Sequence, residues 1–228
     1  MDYRGVRILY EDNHLLVVVK PPNMLSQGDV TGDQDLLSLM KEYIKVTYDK
    51  PGSVYLGLVH RLDRPVGGVM AFAKTSKAAA RLSQQIQNGE MKRQYLAVVR
   101  GVPKRRASIL EDYLLKDPAT NTVKVVQPGI PEARLGRLSY EVLESQAGMS
   151  LLRVEIHTGR SHQIRVQLSH AGWPLIGDAK YGRRERIPIA LWAWRLRLIH
   201  PTRKNALQFS AVPPRRFPWN QFEIREEA

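Results

Sequence analysis

Apolar positions recur along this chain with two periods, one close to two residues and one close to three and a half. Leu15 to Lys20, L-L-V-V-V-K, is a dense apolar run halted by Pro21-Pro22, which predicts a buried strand followed by an extended stop. From Asp35, a suitable N-cap, Leu36, Met40, Ile44 and Thr47 fall at helical spacing, widened by Leu37 and Tyr43, and predict an amphipathic helix against a sheet. Gly52 and Gly57 mark a loop that leads through Leu58 and Val59 to a turn and then to an apolar strand, Val69 to Ala73. Ser76 is the predicted cap of a second helix, with Ala79, Leu82 and Ile86 on one side and its end signalled by Asn88-Gly89. In the following segment Tyr95, Ala97 and Val99 alternate with Leu96 and Val98, as in a strand buried on both faces.

Residues 103–136, rich in Pro, Gly and basic side chains including Lys104-Arg105-Arg106, read as a hairpin-like surface excursion with β-like pieces at Ser108 to Leu115 and Val123 to Val126. Alternation at Leu138, Tyr140, Val142 and then at Leu152, Val154, Ile156, with Gly148 between, predicts two antiparallel neighbours. Ile164, Leu168 and Ala171 mark a short helix starting near Ser161 and stopping at Gly172, and strand-like pieces recur at Leu196 to Ile199 and Leu207 to Ala211. The pattern describes a strand-rich mixed α and β domain. With no internal repeat, low-complexity tract or evident linker, one domain over residues 1–228 is expected.

Charge narrows the choice of partner. Lys and Arg number 35 against 22 Asp and Glu, a net charge of +13, which points to a polyanion, nucleic acid before membrane. There is no apolar run of transmembrane length, and the N-terminus lacks the order of a signal peptide, so a cytoplasmic protein with no membrane partner is expected. Zero cysteines exclude disulfides, thiolate zinc sites and a cysteine nucleophile. His157, His162 and His170 lack companions at a metal-binding spacing, so no metal is expected.

Candidate chemistry gathers in three places. At His60 to Lys74 the carboxylate of Asp63 stands between Arg61 and Arg64, before Pro65 and the paired glycines Gly67 and Gly68. Glycines there let the backbone turn tightly or approach another segment closely. Arg165 falls at the edge of the core-facing stripe of the short helix, where its stem can be buried while the guanidinium reaches a cleft. Between Lys180 and Lys204 eight basic residues, Lys180, Arg183, Arg184, Arg186, Arg195, Arg197, Arg203 and Lys204, face one acid, Glu185, with Trp192 and Trp194 interleaved, a composition suited to a phosphate-lined groove.

With Asp63, Tyr95 and Arg165 in view, the chain resembles the RluA family of pseudouridine synthases. The matching motifs are H-R-L-D-R at 60–64, the run ending Ala73-Lys74-Thr75, Lys-x-x-Tyr-Leu-Ala at 92–97, G-R-S-H-Q-I-R-V at 159–166, G-x-P-L-I-G-D-x-x-Y-G at 172–182 and L-x-L-x-H-P at 196–201. Two departures stand out: Val66-Gly67-Gly68 replaces the family's usual Thr-Ser-Gly, and Gln167 stands where a His is often found. Nothing before Tyr3 corresponds to the S4-type RNA-binding module of many relatives, so a bare catalytic domain is expected.

The resemblance implies an α+β fold with a mixed, largely antiparallel central sheet, flanking helices and a central active-site cleft. It implies an isomerase that converts specific uridines of ribosomal or transfer RNA to pseudouridine without cofactor or metal, after flipping the base, and a monomer is expected. Asp63 is then the catalytic carboxylate, Arg165 the guanidinium that keeps it ionised, and Tyr95 the ring that stacks on uracil. His60, Arg61, Arg64, Arg160, His162, Gln163, Lys180, Arg183 and Arg184 are the expected RNA contacts. The alternative is a non-catalytic RNA-binding or ribosome-assembly protein on the same fold, which would share the basic surface.

Overall fold

The computed structural model describes residues 1–225; the last three residues of the expected domain lie outside the described residues. In chain order the first elements are β1 (Asp2–Tyr3), β2 (Val6–Glu11), β3 (Leu15–Lys20), α1 (Leu36–Thr47), β4 (Gly57–Leu58), β5 (Gly67–Ala73) and α2 (Ser76–Gln87). Then come β6 (Lys92–Arg100), β7 (Ala107–Asp117), β8 (Thr122–Val126), β9 (Arg134–Gln146) and β10 (Met149–Ile156). The series closes with α3 (Gln163–His170), β11 (Leu191–Ile199) and β12 (Ala206–Ser210). The fold is α+β, with three α-helices among the described residues and strand ladders that are largely antiparallel. No helix among them is long and apolar enough to cross a membrane.

The chain divides into two compact units, residues 1–92 with 193–213, and residues 93–192 with the segment from Pro214 onward. In the first, strands run in the order β1-β2-β3-β5-β11, with β12 paired to β11 and β4 to β5. Leu15 and Val17 of β3, Val69, Ala71 and Ala73 of β5, and Leu196 and Leu198 of β11 form one core with Ala78 and Leu82 of α2. That face is small and branched, which lets α2 lie close. The alternate residues Leu16, Val18, Met70 and Phe72 are equally buried, so both faces of β3 and β5 are covered. Asp35 caps α1 through a bond from Ser38 N (3.0 Å). The cap of α2 is Thr75, one residue earlier than expected: it is the residue with extended backbone, and its hydroxyl accepts from Ala78 N.

Gly68, the second residue of β5, has φ +122°, and a Cβ there would lie 2.1 Å from the carbonyl oxygen of Ala193 on β11. Close approach of a neighbouring strand is therefore what this glycine serves. The turn itself falls earlier, closed by Val66 N donating to Asp63 O (2.9 Å).

The second unit runs β6-β10-β9-β7-β8, every ladder antiparallel. Residues 103–136 form the expected hairpin, β7 paired antiparallel to β8 with most side chains exposed or half-buried, and it is part of the sheet rather than an excursion from it. β7 lies between β8 and β9 in the sheet, and Leu114 and Val123 form a small core with Val166 of α3, against which Val125 and Tyr181 pack. The polar and basic outward positions hid that inward face in the sequence. α3 begins at Gln163 rather than near Ser161 because His162 takes a left-handed conformation, φ 50°, ψ 19°, which stops the helix from extending backwards.

Candidate active site

The loop that carries Asp63 is fastened on both sides of that residue. Ser26, buried, donates its hydroxyl to Leu62 O (2.7 Å) and accepts from Leu62 N (3.1 Å). Lys20, fully buried at the end of β3, donates from Nζ to the carbonyls of Pro21 (3.1 Å), Met24 (2.6 Å) and Arg64 (3.0 Å). Three acceptors match the three donors of an ammonium, so the protonated form satisfies the site completely. Burial nevertheless pushes the Lys20 pKa down, to about 7, against the Asp63 carboxylate, which raises it, while Arg64 adds to the lowering. His60, also buried, accepts from Ala71 N at Nε2 (3.0 Å), which places the proton of a neutral ring on Nδ1. Asp63 is half-buried between two arginines, Arg61 and Arg64, that are exposed. The carboxylate thus stands on a short segment whose neighbours on either side are fixed by buried side chains.

In the second unit Tyr95 is buried on β6, opposite Val154 of β10. Arg165, on α3, is buried with its guanidinium engaged by Asp178: Nε donates to Oδ2 and Nη2 to Oδ1, both at 2.8 Å. Burial would raise the Asp178 carboxyl, but the bonds and charge of Arg165 and the amides of Lys180 and Tyr181 hold it below its ordinary value. A bidentate arginine was expected here on behalf of Asp63; the carboxylate that holds this two-nitrogen edge is Asp178.

The remaining residues expected at RNA differ in how they are held. Gln163 is buried, its Oε1 accepting from Thr158 Oγ1 (2.7 Å) and Arg160 N (3.0 Å), its Nε2 donating to Arg137 O (3.0 Å). Its amide therefore shapes the loop that presents Arg160, whose Nε reaches Leu135 O (3.0 Å) on an otherwise exposed side chain. His162 Nδ1 shares a hydrogen bond with the Tyr181 hydroxyl (2.6 Å). Lys180 donates from Nζ to Asn121 O (2.8 Å), and Arg183 and Arg184 are exposed. Arg64 pairs with Asp33 at 2.7 Å, an exposed contact worth little in water.

The basic stretch from Lys180 to Lys204 divides between the units, its first part in the second and Arg195 to Lys204 in the first. Trp192 and Trp194 are buried strand residues, and the Arg195 guanidinium lies over the Trp194 ring, Cζ 3.7 Å from its centre.

Sequence reasoning missed Lys20, Ser26, Asp178 and Tyr181. A lysine closing an apolar run in front of two prolines was the available signal for the first, since a charge there has no solvent to enter. The other three sit in segments whose polar residues look like ordinary turn chemistry.

Comparison with known proteins places this arrangement. The sequence model of the RNA pseudouridylate synthase family matches residues 14–170. The chain belongs to that family, and within it to the RluA-type synthases. It is 35% identical over 222 residues to ribosomal large subunit pseudouridine synthase D of Nitrosomonas europaea, an alignment that takes in 92% of this chain and 62% of the relative. It is 32% identical to the synthase D of Pseudomonas aeruginosa, over 97% of this chain and 72% of that protein. The chain thus spans less than two thirds of the length of the Nitrosomonas relative. Among solved structures, human RNA pseudouridylate synthase domain containing 4 superimposes with a TM-score of 0.77 at 23% identity, covering 92% of this chain and 89% of the other. Human RNA pseudouridylate synthase domain containing 1 gives 0.71 at 24%, over 92% and 84%. Both share the fold.

Proposed function

We propose that this protein isomerises uridine in RNA to pseudouridine, with Asp63 as the catalytic carboxylate. The observation that carries the reading is the fastening of the 60–66 loop: Ser26 and Lys20 hold the backbone at Leu62 and Arg64, one residue either side of Asp63. An enzyme needs its reactive group held this way before substrate arrives. In the reaction the N1 to C1′ bond breaks, the uracil turns, C5 bonds to C1′, the C5 proton leaves and N1 gains one. Uracil departs as a delocalised anion, so one carboxylate assisting at the sugar or the base suffices, where a glycosidase acting on an oxygen leaving group needs two.

Arg165 serves as a second catalytic group, and Tyr95 stacks on the flipped base. Extrusion costs a few kcal/mol, which contacts to the backbone offset. Arg61, Arg64, Arg160, Lys180, Arg183 and Arg184 supply those contacts, while His60, His162 and Gln163 shape the segments that carry them. The names of the relatives favour a uridine of large-subunit ribosomal RNA as the substrate. We read residues 1–228 as a single catalytic domain that acts in the cytoplasm as a monomer.

The test is release of tritium from ribosomal RNA labelled at uridine C5, for the native protein and for Asp63→Asn. Turnover by the native protein and none by the variant, with RNA affinity retained by both, is the expected result. Turnover by Asp63→Asn overturns the assignment of Asp63, and no turnover by either protein on RNA that both bind leaves a non-catalytic RNA-binding protein.

A further inference from the structure

We infer that Asp178 and Tyr181 are positioning residues for Arg165, a rigid mount that fixes both the edge and the plane of its guanidinium; the inference rests on the reading of Arg165 as catalytic.

The mount begins with the carboxylate. Asp178 Oδ1 accepts from Arg165 Nη2 (2.8 Å), Lys180 N (3.0 Å) and Tyr181 N (3.2 Å), and Oδ2 accepts from Arg165 Nε (2.8 Å). A carboxylate bonded four times from two directions cannot rotate about its own axis without breaking at least two bonds. The turn beneath it is equally constrained. Gly177 has φ +72°, and a Cβ there would lie 2.4 Å from Pro188 O. Gly182 N donates to Asp178 O (2.9 Å), closing the turn on its far side.

Tyr181 supplies the plane. Its ring centre lies 5.2 Å from Arg165 Cζ, within cation–π range. The ring is pinned at its tip, where the hydroxyl accepts from Val123 N (2.8 Å) on β8 and bonds His162 Nδ1 (2.6 Å). It is pinned at its base as well, where the Tyr181 carbonyl accepts from Ser169 Oγ on α3. Arg165 and its mount are thus tied to α3, to β8 and to the 177–182 turn at once.

Stability alone is a poor account of this arrangement. Burying an ion pair costs desolvation that the attraction only roughly repays, and well-packed apolar residues of the same volume serve a core as well or better. What the pair does provide is orientation. With Nε and Nη2 both on the Asp178 carboxylate and the Tyr181 ring centre 5.2 Å from Cζ, the direction and the plane of the guanidinium are fixed together. A lysine in place of Arg165 could not be held this way, having neither a planar head nor a two-point edge.

The experiment is a double-mutant cycle read by turnover of C5-tritiated RNA, with folding checked by thermal melting and RNA affinity measured separately. Asp178→Asn in the native background is expected to lower kcat by about 100-fold, the scale of a small misplacement of a reacting group, with KM and RNA affinity within about twofold. In the Arg165→Lys background the same substitution is expected to cost less than about threefold, because the residue it orients is already gone. An equal loss in both backgrounds, or a native rate for Asp178→Asn, overturns the mount. A native rate for Arg165→Lys alone overturns the reading of Arg165 itself, and the mount with it. Should Asp178→Asn not fold, Tyr181→Phe, which keeps the ring and the core volume, runs the same cycle. Its expected result is a kcat loss of about tenfold that vanishes with Arg165→Lys, and an equal loss in both backgrounds overturns the mount.

Discussion

The ammonium of Lys20 lies 3.0 Å from the carbonyl oxygen of Arg64, so a residue that closes the first long strand holds the backbone next to Asp63, 44 positions away along the chain. Sequence makes Lys20 look like the polar end of an apolar run; structure makes it a buried cation bonded to three carbonyls. Such a group couples stability to pH. Its pKa is lowered to about 7 in the folded protein from 10.5, so between those values the unfolded chain holds a proton that the folded protein has released.

Stability should therefore rise with pH across that window. The penalty of the buried charge is complete below about pH 7 and is relieved as pH climbs toward 10.5. Lys20 alone should contribute a slope approaching about 1.4 kcal/mol per pH unit within the window. Urea melts of the native protein and of Lys20→Met at several alkaline pH values isolate this contribution by difference, since every other titrating group is common to both. Parallel pH dependences in the two proteins would show that Lys20 does not titrate there.

Gly68 and Gly32 separate two costs that a positive φ can carry. Both are in the left-handed half of the backbone map, but a Cβ at Gly32 meets nothing within 4 Å, while one at Gly68 meets Ala193 O at 2.1 Å. Gly32→Ala should cost only conformational strain, about 1 kcal/mol. Gly68→Ala adds a backbone collision that no side-chain rotation relieves, and should cost about 3 kcal/mol or more. Chemical denaturation of the two variants side by side measures the difference. The same collision explains why Gly68 sits at the point where the chain departs from the usual Thr-Ser-Gly: two of the three residues differ, and the glycine that the neighbouring strand requires is present.

Helix caps offer a smaller effect with a sharp contrast. Asp35 accepts from Ser38 N at 3.0 Å and Thr75 from Ala78 N at 3.1 Å. Alanine at either should cost about 1 kcal/mol, whereas Ser76→Ala, the residue that sequence favoured as the second cap, should cost only a few tenths. Thermal melts of Thr75→Ala and Ser76→Ala decide which hydroxyl caps α2.

How far the sequence carried the fold depends on whether periodicity or distance set each element. The strand Leu15–Lys20 and the helix Leu36–Thr47 begin at the residues their patterns imply, because a run of apolar residues with clear stops leaves one solution. The β9–β10 hairpin was legible for the same reason. β2 was not read, although Arg4 and Gly5 in positive φ form its turn, because Arg7 is exposed and the side chains after it are all half-buried, so no alternation marks the strand. The site was legible as a set of residue types, not as a set of partners. Asp63 and Arg165 declare themselves as polar residues in otherwise apolar or turn-bound surroundings. That Lys20 serves the loop of Asp63, and that Asp178 holds Arg165, depends on where the chain returns in space, and local spacing carries no record of it.

RNA binding should be electrostatic and separable by residue. Arg183 and Arg184 are exposed, whereas Lys180 already donates to Asn121 O. Each phosphate neutralised contributes about 0.7 to 0.9 to the slope of log affinity against log salt, so Arg183→Ala and Arg184→Ala should each flatten that slope by nearly one and weaken binding alike across RNA sequences. Lys180→Ala should flatten it less, because part of its hydrogen-bonding capacity is spent within the protein. Tyr95→Phe provides the contrast: a buried strand residue proposed to stack on the base should leave the salt slope unchanged. Filter binding or fluorescence anisotropy at several salt concentrations gives these slopes directly. Unchanged slopes for both arginine variants would move the phosphate contacts away from the 180–186 segment and onto the other exposed cations, Arg61 and Arg160 first.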